Sequence, residues 1–158
     1  MEYTEIIERF GRDHGIDGLL PDEDGCCDFD VDNLPVHVFA LPGTERLVVW
    51  GEVCPLPTHG VATFLSALMR GSCLGLETEG CSFTIDPTSD TVCLQWIQPL
   101  EGLTYESFTA RIESFVNMLE RWQAFADEFD VASEDVGKIE QAEADERTAA
   151  SSDMFLQV

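Results

Sequence analysis

Residues 61–103 read VATFLSALMRGSCLGLETEGCSFTIDPTSDTVCLQWIQPLEGL, and the order of elements in this run decides the architecture. Val61, Phe64, Leu65, Leu68 and Met69 recur at helical steps of three and four, and Gly71 and Gly75 then close the helix. The opposite side of that helix (Ala62, Thr63, Ser66, Ala67) is small and uncharged until Arg70. A helix without a charged face in an acidic chain is expected to be covered on more than one side, which points to a subunit interface. Two alternating runs follow, residues 81–85 and 92–97, joined by the turn-rich Asp86-Pro-Thr-Ser-Asp90, and together they read as a β-hairpin. Pro99-Leu-Glu-Gly102 is a hinge, after which Thr104 caps a long helix.

That helix carries Tyr105, Phe108, Ile112, Phe115, Leu119, Trp122, Ala126 and Phe129 in unbroken steps of three and four. Its stripe is short for a coiled coil and is expected to pack across a small sheet. From Asp130 the composition turns acidic and rich in small residues, so residues 130–158 are expected to be a mobile tail. Transient helix is expected around residues 138–147, and Met154-Phe155-Leu156 is a candidate docking handle.

Upstream, Tyr3, Ile6, Ile7 and Phe10 mark a first helix over residues 3–13, ending near Gly11 or Gly15. Its apolar face either packs on the sheet or walls a peptide-binding groove. After a polar connection, residues 26–32 alternate, with Cys27, Phe29 and Val31 on one face and Asp28, Asp30 and Asp32 on the other. The aspartate spacing resembles a calcium loop, yet Asn33 replaces the turn glycine and Phe39 stands where the bidentate Glu belongs, so an acidic strand face explains it better. Residues 36–41 and 46–53 form two more strands around Pro42-Gly43. The second is apolar on both faces at its centre, as an inner strand would be, and Gly51 marks a bulge or a close backbone approach. Thr58 is the expected cap of the helix beginning near residue 61.

The chain has 158 residues, 31 of them acidic against 8 Lys and Arg, for a formal charge of −23. It is long enough for one core, and its field repels nucleic acid and anionic lipid. No charged-then-apolar leader opens the sequence and no apolar run reaches the roughly 18 residues of a spanning helix, so no membrane insertion and a cytoplasmic location are expected. The six cysteines (26, 27, 54, 73, 81 and 93) make no C-x-x-C pair and read as small buried hydrophobes.

Catalytic templates are missing. The sequence has no Gly-rich phosphate loop followed by Lys, no H-E-x-x-H and no G-x-S-x-G. His14, His37 and His59 lie in three different elements without a nucleophile partner. No catalytic, metal or cofactor residue is assigned.

The resulting fold class is α+β, a single domain over residues 1–129 of order α-β-β-β-α-β-β-α, with an antiparallel twisted sheet packed by helices. This order resembles the class I type III secretion chaperones, the Tir-chaperone-like family. The Asp22-Glu-Asp-Gly25 turn, Leu74-Gly-Leu-Glu-Thr-Glu-Gly80, Ile85-Asp-Pro87, Val92-Cys-Leu94 and Pro99-Leu-Glu-Gly-Leu103 carry the resemblance, with the long helix bearing Trp122. It implies an acidic homodimer in the cytoplasm of a Gram-negative bacterium that binds the N-terminal region of a secreted effector in extended form, keeping it soluble and export-competent. Dimer contacts are implied at Val61, Phe64, Leu65, Leu68 and Met69, and effector contacts at Ile6, Ile7, Phe10, Val36, Val38 and Val49. The tail departs from the family core; covering the groove and touching the export apparatus, whose ATPase is a candidate partner, are its two expected roles. Two further readings differ in class: a regulatory module on the same scaffold acting on a folded partner, and a small enzyme with an unrecognised site.

Overall fold

The computed structural model describes residues 2–41 and 43–154, with side chains as far as residue 129. Its elements are α1 (Tyr3–His14), β1 (Cys26–Val31), β2 (Leu34–Leu41), β3 (Arg46–Pro55), α2 (Val61–Gly71), a 3-10 turn (Cys73–Gly75), β4 (Ser82–Asp86), β5 (Thr91–Pro99) and α3 (Tyr105–Met154). The strands make one antiparallel sheet in the order β1-β2-β3-β5-β4, so β1 and β4 are its edges. The expected α+β order is the observed one.

Strand register explains which side chains meet the helices. Val38 lies opposite Val49, and Val49 opposite Trp96, so all three share the inner face with Val36, Leu47 and Leu94. Helix α3 lies on that face. A Cβ on Gly51 would stand 2.7 Å from Leu119 Cδ2, so the glycine lets α3 approach the β3 backbone directly. The ladder between β3 and β5 also shifts register between Glu52 and Cys54. Every member of the α3 stripe from Tyr105 to Ala126 is buried, and each large one contributes about 1.5–3 kcal/mol.

Helix α1 closes the other end of the core. Its first turn is held by the Glu2 N–H donating to the Glu5 carboxylate at 3.1 Å, and Gly15 ends it at φ 74. Phe10 packs on Phe29 and Phe108, with ring centroids 5.1 and 5.4 Å apart. The Tyr3 hydroxyl lies 3.2 Å from the Gly25 carbonyl and 3.3 Å from that of Val38, which ties α1 to the β1–β2 edge. Tyr105 donates to Asp13 at 2.6 Å, joining α1 to α3.

Several boundaries differ from the sequence reading. Gly60, at φ 64, precedes α2 in the capping position, and Thr58 instead lies 3.0 Å from His59 Nδ1. Asp32 and Asn33 both take positive φ (52 and 67), making the tight hairpin turn between β1 and β2 that such residues favour. The α3 backbone stays helical to Met154, past Phe129, through a stretch rich in the helix formers Ala, Glu and Gln. Of the Met154-Phe155-Leu156 handle, Phe155 and Leu156 lie outside the described residues. Among the described residues no helix is long and apolar enough to cross a membrane.

The cysteines are less uniform than the sequence suggested. Cys27, Cys81 and Cys93 are buried, Cys26 and Cys54 half-buried, and Cys73 exposed. Burial pushes the thiols of Cys27, Cys81 and Cys93 from 9.0 up to about 11. A thiol that holds its proton more tightly when folded stabilises the fold below pH 9, and that contribution is lost as pH rises toward 11. The urea midpoint is therefore expected to fall between pH 9 and 11, and to fall less in a Cys81→Ala, Cys93→Ala chain. A midpoint flat across that window in the unaltered protein would remove this linkage.

Candidate functional site

Two surfaces stand out from an otherwise acidic exterior. The first is a groove of about 340 Å³ between α2 and β4, lined by Leu65, Leu68, Met69, Phe83, Thr84, Ile85 and Val92. No lining residue is a carboxylate. Phe83, one of the lining residues, packs edge-on against Trp122 at 4.8 Å, which links the groove to α3. Met69 is 72% exposed and Ile85 39%. The adjoining face of α2 presents Ala62, Thr63, Ser66 and Ala67 up to Arg70, again without a carboxylate.

The loop between α2 and β4 joins the two elements that line this groove. Its acidic groups turn back to α3: Arg121 stands 3.9 Å from the Glu77 carboxylate, Arg111 donates to the Glu79 carbonyl at 2.9 Å, and Ser114 donates to the Glu79 carboxylate. Arg111 also lies 4.6 Å over the Trp96 ring.

The second surface is the outer face of the sheet, opposite the helices. Register puts Phe39 against Val48, Val48 against Ile97, and His37 against Trp50 on this face. His37 Nδ1 is 2.8 Å from Asp28 Oδ1 and its ring 5.0 Å from that of Trp50. An aromatic and aliphatic strip thus crosses β2, β3 and β5 beside an acidic edge carrying Asp28 and Asp30. Ile97 is 42% exposed, while Phe39 and Trp50 are half-buried.

The residues assigned from sequence fall differently. Ile6, Ile7, Val36, Val38 and Val49 have no exposed surface and Phe10 is 2% exposed, so all six are core in the folded chain. In the single chain none of them lies on the surface. Of the α2 set, Phe64 and Leu68 are core, Val61 and Leu65 are half-buried and Met69 is exposed. Only the flanks of that stripe offer contact area. Sequence reasoning missed the outer strip. Its signal was the double-sided apolarity of Leu-Val-Val-Trp in β3, where Val48 and Trp50 are the outward pair. Among the described residues no cluster of His, Cys, Asp and Glu is placed to hold a metal ion.

Residues 5–123 match the Tir chaperone protein (CesT) family. No curated protein sequence matches the chain significantly. Similar solved structures include the HopA1–SchA chaperone–effector complex, with TM-score 0.64 and 20% identity over 77% of this chain and 93% of that one. The ExsC–ExsE complex gives TM-score 0.64 and 22% identity over 78% and 96%. The Yersinia pestis type III secretion chaperone SycH, in complex with a fragment of YscM2, gives 0.60 and 16% over 77% and 99%. At such identities these likenesses establish the shared fold, and the match across residues 5–123 establishes the family: this chain belongs to the Tir chaperone protein (CesT) family.

Proposed function

We propose that this protein is a type III secretion chaperone that binds the N-terminal region of a secreted effector in extended form and keeps it soluble and competent for export. The observation that carries the reading is the family match over residues 5–123; similar folds in chaperone–effector complexes support it. The client segment runs along the outer strip of Phe39, Trp50 and Ile97 and pairs with the open edge of β1. Edge pairing uses backbone hydrogen bonds and so demands little of the client's sequence, while the apolar strip accepts alternate side chains. The net charge of −23 favours basic or neutral segments. The chaperone works in the bacterial cytoplasm as a homodimer joined through α2, by binding and without turnover. Residues 130–158 are its contact with the export apparatus, with the ATPase as the candidate partner.

The test is co-purification from the native host with mass spectrometry and limited proteolysis. One dominant partner, protected over its N-terminal segment and held by two copies of this chain, is the expected result; a chain that captures no secreted protein under secretion-inducing conditions would sink the reading. Within such a complex, Ile97→Asp is expected to lower client affinity by about 10- to 100-fold. Because Ile97 is already 42% exposed, the melting temperature should stay close to that of the unaltered protein. Undiminished affinity would take the outer strip out of the binding site.

A further inference from the structure

We propose that Arg46 is a specificity-determining residue of the outer sheet face: it pairs with a carboxylate of the client and so fixes the direction in which the client segment lies along the strip. The inference rests on the client reading above and names the charge order of the segment that this face accepts. Direction is the property an apolar strip leaves open. Alternate side chains of an extended segment fill the same strip whichever way the segment runs, and a sheet edge accepts a parallel or an antiparallel strand.

Charge breaks that symmetry. The outward residues of β3 are Arg46, Val48, Trp50 and Glu52, since they share the parity that sets Val48 against Ile97 and Trp50 against His37. Arg46 and Glu52 are exposed at the two ends of this series, about 20 Å apart at about 3.3 Å per residue. The cation end is flanked on the neighbouring strands by Leu41 and Pro99. The carboxylate end is reinforced from β1, where Asp28 lies opposite His37 and Asp30 opposite Pro35. The strip of Phe39, Trp50 and Ile97 therefore runs between one positive end and one negative end.

Arg46 is also a cation that the fold itself does not use. Arg9 stands 3.7 Å from Asp13 and from Glu106, Arg12 3.2 Å from Glu8 and Arg121 3.9 Å from Glu77, while Arg111 lies over the Trp96 ring. Among the described residues Arg46 and Arg70 are the arginines outside these pairs, and Arg70 belongs to α2 rather than to the sheet. The Arg46 guanidinium is thus free for a carboxylate brought by another molecule, which it can hold at two points. A segment with an acidic residue over Arg46, apolar residues along the strip and a basic residue over Glu52 and Asp30 meets opposite charge at both ends. Reversed, the same segment sets like charge against like at both ends. The client class is therefore an apolar stretch bounded by one acidic and one basic residue.

The probe is a synthetic peptide with one Glu and one Lys about six residues apart and alternating apolar residues between them. A nitroxide label at its Glu end reports direction by broadening the amide NMR signals nearest to it in the full-length chain. Signals around Arg46 are expected to broaden more than those around Glu52. The doubly altered Arg46→Glu, Glu52→Arg chain keeps the net charge and is expected to invert that pattern. Arg46→Gln should weaken the peptide about threefold to tenfold, and leave unchanged the affinity for a peptide carrying Gln in place of Glu. Both altered side chains are exposed, and unchanged melting checks the fold. A peptide that binds equally in both directions, keeps its direction on the charge-swapped chain, or loses as much affinity to Arg46→Gln without its Glu overturns the proposal and leaves the strip as the client site. A peptide that does not bind, or that broadens signals away from the strip, overturns the proposal together with that site. The chaperone reading is then decided separately by the co-purification above.

Discussion

Ile7→Asp is expected to leave no folded protein. Ile7 has no exposed surface and sits on the α1 face whose neighbours Ile6 and Phe10 are equally enclosed. A carboxylate at that position lies in apolar packing without a cation, and an unpaired buried charge of this kind costs several kcal/mol even after the group takes up a proton. Domains of this size have only about 5–15 kcal/mol in total. Far-UV circular dichroism should show no cooperative thermal transition, and expression should shift to the insoluble fraction. Ile7→Val, which keeps the shape and loses one methylene, is expected to cost about 0.5–1.5 kcal/mol and to remain folded. The pair of variants decides what α1 does. A folded Ile7→Asp chain with the unaltered transition temperature would mean that α1 leaves the sheet in solution and that its apolar face meets a partner, as the family resemblance implies.

The six residues that the family resemblance offers as effector contacts illustrate what periodicity carries and what it omits. Alternation separates the two faces of a strand but does not say which face the helices cover. In β2 both parities are usable, Val36 and Val38 on one side and His37 and Phe39 on the other. In β3 the same holds for Val49 against Val48 and Trp50. The choice falls to α3, whose close approach at Gly51 claims the parity of Val49, and neighbouring strands follow through the register. Nothing local to β2 encodes that choice.

Helix α2 shows a second limit. The spacing of Val61, Phe64, Leu65, Leu68 and Met69 marks an apolar stripe wider than the single contact line against α3 and β4. Phe64 packs 5.0 Å from Phe129 and becomes core, whereas Met69 is left over at the rim of the groove. The stripe was legible, and its division between core and surface was not. Element order and turn chemistry read more faithfully. Gly15 ends α1, the Asp86–Asp90 turn joins the hairpin, and the Thr104 hydroxyl accepts from the Ser107 N–H at 3.1 Å as an N-cap should. These signals are local, so tertiary context had little to add. The exposed leucines at 74 and 76 are the opposite case. They lie in a loop tied to α3 through Arg111 and Ser114 at Glu79 and Arg121 at Glu77, contacts between distant parts of the chain.

Gly71 is the position where the ordinary rule for glycine should fail by the widest margin. It is the last residue of α2 and does not adopt a positive φ, so on propensity alone Gly71→Ala should stabilise by roughly 1 kcal/mol. A Cβ there would stand 2.4 Å from Trp122 Cη2 and 2.8 Å from Cζ2. The ring has no easy retreat, because Trp122 is 5% exposed and packed edge-on by Phe83 at 4.8 Å and Phe125 at 5.3 Å. Forcing the ring aside also disturbs Phe83, which lines the groove. Gly71→Ala is therefore expected to destabilise by about 1–3 kcal/mol, with Gly71→Val worse than Ala, read as a lower urea midpoint at unchanged slope. Trp122→Phe supplies the check. The smaller ring clears the clash and removes an indole N–H that has no hydrogen-bond partner among the described residues. The Gly71→Ala, Trp122→Phe chain should accordingly be more stable than the sum of the two single changes, a coupling expected for groups in contact. Additive costs, or a Gly71→Ala chain more stable than the unaltered one, would show that α2 shifts away from α3 at little expense and that the groove is not braced by Trp122.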